Sequence, residues 1–131
     1  MKILQDKYED ETTKNLTEMA RVGFTDDDYE IYVNTNDSGK IPHFHYRDST
    51  DWNSFHTCIK MRSSEYFHHG NKQNILNNKQ RKILVEFLSS VTVIKNFNGL
   101  TNWQVMLSLW NMNNSDVTID ENFEMPNYLL L

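Results

Sequence analysis

From Asp28 to Met61 the sequence runs through three short segments of period-two alternation joined by polar turns, and little besides a small sheet is compatible with that pattern. Asp28–Asn34 (DYEIYVN) sends Tyr29, Ile31 and Val33 to one side and Glu30 and Tyr32 to the other. Alternation carried by β-branched and aromatic residues is the mark of a half-buried strand. Asn36-Asp37-Ser38-Gly39 is turn chemistry, because Asn and Asp bond their own backbone and Gly permits positive φ. Pro42 then fixes the entry to a second strand, His43–Arg47, and removes a ladder donor, which predicts a sheet edge at that end. Asp48–Asn53 reads as a polar loop. Ser54–Met61 reads as a third strand, with Phe55, Thr57 and Ile59 on one face and His56, Cys58 and Lys60 on the other.

Helical periodicity brackets this region. Residues 1–11 read as a charged lead-in, and Thr12–Thr13 predict the cap of a helix through Leu16, Met19 and Ala20 to about Val22, stopped by Gly23. Ile75, Leu76, Ile83, Leu84, Phe87, Leu88 and Val91 recur at helical steps, with Lys79, Arg81, Lys82 and Glu86 on the outer side, as in an amphipathic core helix. Residues 91–100 form a connector with strand character at Val91–Ile94. Thr101-Asn102-Trp103-Gln104 has the form of a capping box, followed by Trp103, Met106, Leu107 and Trp110 at helical spacing to about Asn113. The expected fold is α+β in a single domain, 1–131. It has a small antiparallel sheet of three or four strands with two or three helices packed on one face, and 115–131 forms an acidic C-terminal tail.

Composition narrows the function classes. No apolar run reaches the roughly 18–20 residues of a membrane span, and no basic-then-apolar leader opens the sequence. The expectation is a cytoplasmic protein without a membrane partner. A single cysteine, Cys58, excludes an intrachain disulfide. The four glycines, at 23, 39, 70 and 99, lie too far apart to cradle a phosphate. Charge is segregated: residues 1–30 carry nine acids against four bases, 40–95 carry four acids against nine bases, and 111–131 carry four acids and no base. An acidic chain without an arginine cluster disfavours nucleic acid as partner. Asp120, Glu121 and Glu124 in the acidic tail are the candidate contacts to a protein partner. The terminal Tyr128–Leu131 segment is expected to dock on the core or on a second copy, as in a homodimer.

All five histidines fall between 43 and 69: His43, His45, His56, His68 and His69. Side chains two apart on a strand share a face, so His43 projects with His45, and His56 with Cys58. If the two strands pair antiparallel, these side chains approach one another. A His₃Cys set of His43, His45, His56 and Cys58 suits Zn²⁺, which accepts imidazole nitrogen and thiolate sulfur, and His68 or His69 offers a further ligand from the following loop. The alternatives are a histidine face that is merely packed or solvated, a Cys58 nucleophile with a histidine base and Asp48 or Asp51 as orienter, and a general acid–base pair of His43 or His45 with His56 and Lys60. Against the thiol nucleophile, a strand-centre cysteine with no helix N-terminus nearby is ordinarily an inert core residue. One sheet face left wet would accommodate the polar set.

Ile41-Pro42-His43-Phe44-His45 resembles a group of small bacterial and phage-associated proteins of unknown function that carry a Pro-Pro-His-Phe-His motif after a strand and a turn. The likeness runs from about Tyr29 to Ser90 and takes in Ile31-Tyr32-Val33, the turn at Asp37–Gly39 and the Lys79–Leu88 helix. The group has a second proline, and often a further histidine, where Ser38-Gly39-Lys40-Ile41 stands here. The resemblance implies a small α+β fold and a partner-binding or toxin–antitoxin-like role, with no established activity. With no strong catalytic motif present, the leading expectation is a non-enzymatic interaction protein, a regulator or inhibitor of a host system such as an anti-CRISPR factor. The alternative is a metal-binding domain, or a hydrolase or nuclease, built on the histidine cluster.

Overall fold

The computed structural model describes residues 19–35, 41–51, 53–66 and 74–126. Four strands, β1 (Met19–Phe24), β2 (Tyr29–Asn34), β3 (His43–Asp48) and β4 (His56–Lys60), lie in the order of the chain, and every neighbouring pair is antiparallel. Two helices follow, α1 (Asn78–Ser89) and α2 (Asn102–Asn113), separated by a 3-10 turn at Lys95–Phe97. The fold is α+β. The predicted lead-in, the predicted helix up to residue 18, His68, His69 and the terminal leucines lie outside the described residues.

β1 corrects one expectation. Met19–Val22 is extended, because Ala20 and Val22 can alternate as well as they can recur helically, and pairing with β2 decides between the two. Ala20 faces Val33 and Arg21 faces Tyr32; the register then shifts so that Gly23 faces Ile31, leaving Val22 as the extra residue of a bulge, buried in the core. Gly23 stops no helix. A Cβ there would come within 2.8 Å of Phe87 Cζ, so glycine lets the α1 ring lie against the strand. Two smaller expectations also change. Pro42 precedes β3, which is an interior strand, and its carbonyl accepts from Met61 N–H at 3.0 Å. Val91–Ile94 forms only an isolated bridge from Val91 to Thr101.

The turns explain the register. Between β1 and β2, Thr25 N–H donates to Tyr29 O at 2.8 Å, and Asp28 takes the positive φ that short polar side chains tolerate. Between β3 and β4, the Asp48 carboxylate gathers the loop: Oδ1 accepts from Thr50 N (2.9 Å) and Thr50 Oγ1 (2.7 Å), and Oδ2 from Ser54 Oγ (2.8 Å). These bonds, those from Thr50 foremost, hold the Asp48 carboxyl below its ordinary range. A depressed pKa contributes stability above the unfolded value of about 4, and that contribution is lost as pH falls through the folded value. Asp48→Asn should therefore be less stable than wild type at neutral pH. In denaturant melts the difference should shrink as pH falls through the acid range and Asp48 takes up its proton; a difference constant across the acid range would assign no such role to the charge.

Both helices begin with a reciprocal capping box. In α2 the backbone N–H of Gln104 donates to Thr101 Oγ1 (3.2 Å) while Thr101 N–H donates to Gln104 Oε1 (2.9 Å). In α1 Asn77 and Gln80 do the same, at 2.8 and 2.9 Å. Val22, Ile31, Val33, Phe44, Tyr46 and Ile59 of the sheet share one hydrophobic core with Leu84 and Leu88 of α1 and Trp103, Met106, Leu107 and Trp110 of α2. The segment after α2 belongs to this core: Ile119 is buried, and the indole N–H groups of Trp103 and Trp110 donate to Phe123 O (2.7 Å) and Val117 O (2.6 Å). The sheet side chains of opposite parity, including the histidines and Cys58, make up the other face.

Candidate metal centre

Register builds the site. Arg21, Tyr32, His45 and Cys58 stand directly opposite one another across the four strands, and Glu30, Arg47 and His56 form the adjoining rung across β2 to β4. His43 lies one β3 step of two residues from His45, so its side chain joins the same face. Cys58 Sγ is 3.3 Å from His45 Nδ1 and 3.9 Å from His45 Nε2. One donor atom from each of His43, His45 and Cys58 falls within 4.8 Å of the other two. Ligand bonds of about 2.0–2.3 Å place tetrahedral donors roughly 3.3–3.6 Å apart, so small side-chain movements would close this set on one ion.

The face is not wet. His43, His45 and Cys58 are 0%, 2% and 3% exposed. The polar side chains here are buried against one another rather than solvated, which is how a polar rung avoids the cost of desolvation. His43 Nδ1 lies 2.7 Å from Ile41 O; a carbonyl only accepts, so Nδ1 carries a proton and Nε2 is the ring nitrogen left to ligate. That backbone anchor is the usual outer partner of a metal-ligating histidine. The His43 ring rests on the Trp110 indole, centroids 5.4 Å apart. His45 stacks on Tyr32 at 4.6 Å and 14°, and its Nε2 lies 3.2 Å from Asn34 Nδ2.

His56 stands beside the set. Its Nε2 is 2.9 Å from His45 Nδ1 and 3.4 Å from Tyr32 Oη, and it is more exposed than the three buried donors. Of the four ligands expected from the sequence, three converge and the fourth touches them through His45. Beyond Tyr32 lies an ion-pair group in which Glu30 accepts from Arg21 Nε and, at 2.9 Å, from Arg47 Nε. The Arg47 guanidinium sits 4.4 Å from the Tyr32 ring centroid. Burial raises the Tyr32 hydroxyl far above its ordinary pKa, with Cys58 and Glu30 adding to the shift and Arg47 opposing it, so the phenol stays neutral.

Asp48 is committed to its own turn, and the Asp51 carboxylate accepts from Asn53 N–H in the same loop, so neither serves as orienter for the Cys58–His45 pair. Lys60 pairs with Glu65 at 3.5 Å. Asp120, Glu121 and Glu124 are exposed on the segment after α2. Glu121 accepts from Ser108 Oγ and Asn111 Nδ2, both at 3.2 Å, and Asp120 accepts from Asn122 N–H at 2.8 Å. Sequence reasoning missed the Glu30–Arg21–Arg47 group and Asn34; the available signal was that Glu30 falls on the same parity as Tyr32 and, through pairing, opposite Arg47. No family model, curated protein or solved structure matches the chain. Among the described residues no helix is long and apolar enough to cross a membrane.

Proposed function

We propose that this protein binds one transition-metal ion through His43, His45 and Cys58. The observation that carries the reading is the convergence of two imidazoles and a thiol, donors that thiophilic and borderline ions prefer, at one buried point. In this reading the ion joins β3 to β4 where Cys58 stands opposite His45. His56 and Tyr32 serve as its outer layer. Because ligation needs a thiolate and neutral imidazoles, uptake releases protons, and because the site is assembled only in the folded chain, occupancy stabilises the fold.

The test is native mass spectrometry of the reduced protein after incubation with Zn²⁺ or Cu⁺, beside thermal melting with and without a chelator. One ion per chain and a fall in Tm on chelation are expected, with occupancy abolished in Cys58→Ser and His43→Gln. Failure of the wild-type chain to retain either ion, with an unchanged Tm, would remove the reading.

The exposure of Asp120, Glu121 and Glu124 on one short segment fastened to α2 favours a second reading, that the protein acts by binding a protein partner there. Charge reversal of the three should abolish a discrete complex seen with wild type; unchanged complex formation would discard the segment as a contact.

A further inference from the structure

Resting on that reading, we propose that the resident ion is monovalent copper, held in three-coordinate fashion by His43 Nε2, His45 and Cys58 Sγ.

Charge is the first argument. The three donors contribute one negative charge, the Cys58 thiolate, so Cu⁺ makes a neutral complex whereas Zn²⁺ makes one of net +1. With donor residues 0%, 2% and 3% exposed, any charge left on the complex is shielded by little water, and a net charge is costly there. Coordination number is the second. Among the described residues three donors converge, whereas Zn²⁺ takes four, the fourth being water or substrate where a protein supplies three. Cu⁺ is satisfied by fewer and selects soft thiolate sulfur. The third argument is rigidity. The His43 ring is pinned by the carbonyl of Ile41 on one nitrogen and by the Trp110 indole, and the His45 ring is pinned by its stack on Tyr32. Both imidazoles are held before any ion arrives, within reach of the sulfur that lies 3.3 Å from His45 Nδ1. Only small side-chain movements are then needed to close two nitrogens and one sulfur on an ion.

The experiment is an anaerobic competition on the full chain. Cu⁺ is supplied as its bicinchoninate complex and, separately, Zn²⁺ is supplied with a chromophoric chelator, followed by X-ray absorption of the loaded protein. The expected result is one Cu⁺ per chain drawn from the chelator, a coordination shell of one sulfur and two nitrogens, and Zn²⁺ binding no tighter than about micromolar. Cys58→Ser should weaken Cu⁺ by about a hundredfold or more; should that variant fail to fold, the coordination shell of the wild-type protein decides alone. A fourth donor on Cu⁺, or Zn²⁺ binding in the nanomolar range, would overturn the copper assignment and leave the metal centre standing. Uptake of neither ion would overturn both.

Discussion

Glu30→Gln is expected to destabilise the fold by about 3–5 kcal/mol, the range for removing one partner from a buried ion pair. Glu30 is 2% exposed, and its two carboxylate oxygens are shared between Arg21 Nε and Arg47 Nε. The substitution keeps the shape of the side chain and removes only the charge, so the loss cannot be assigned to a cavity. It leaves the Arg47 guanidinium, itself buried, without this carboxylate, and it turns an amide nitrogen toward one of two donors that need an acceptor. Arg21→Gln should cost less, because the Arg21 side chain is about a fifth exposed and water can replace part of what it loses. Urea unfolding of the two variants at neutral pH makes the comparison. A loss below about 1 kcal/mol for Glu30→Gln would mean that the carboxylate is solvated and that this face is open. The result bears on the proposed metal site, since Arg47 lies over the Tyr32 ring and Tyr32 in turn stacks on His45.

The legible parts of the fold were those in which local chemistry and burial agree. β2, β3 and β4 follow from alternation between turn residues, α1 from its apolar stripe, and the start of α2 from Thr101 and Gln104. β1 was illegible for the opposite reason: Met19, Ala20 and Val22 fit a helix or a strand, and only the pairing of Ala20 with Val33 and Arg21 with Tyr32 selects the latter. Half of the candidate site could be read. Spacing of two placed His43 with His45 and His56 with Cys58, but which residue of β4 stands opposite His45 depends on the loop that Asp48 organises, and composition does not encode that count. Glu30, Tyr32, His45 and Arg47 look like a solvated face when taken singly. They become interior when each supplies a partner for the next, a property of the register rather than of any one position.

Trp110→Ala is expected to cost about 3–5 kcal/mol, the range for emptying a fully buried aromatic site. Trp110 is wholly buried and is one of several α2 residues that fasten the following segment to the helix. Its ring packs in the core shared by the sheet and both helices, its N–H donates to Val117 O at 2.6 Å, and its face supports His43. The alanine variant therefore loses core packing, one tether of the segment after α2, and the ring against which His43 rests. Trp110→Phe separates these contributions. It keeps most of the apolar volume and a ring near His43, and loses the hydrogen bond, so its cost should be nearer 1–2 kcal/mol. Equilibrium unfolding followed by far-ultraviolet circular dichroism reads both variants. If phenylalanine cost as much as alanine, the bond to Val117 rather than the packed ring would be what fixes α2 against its neighbours.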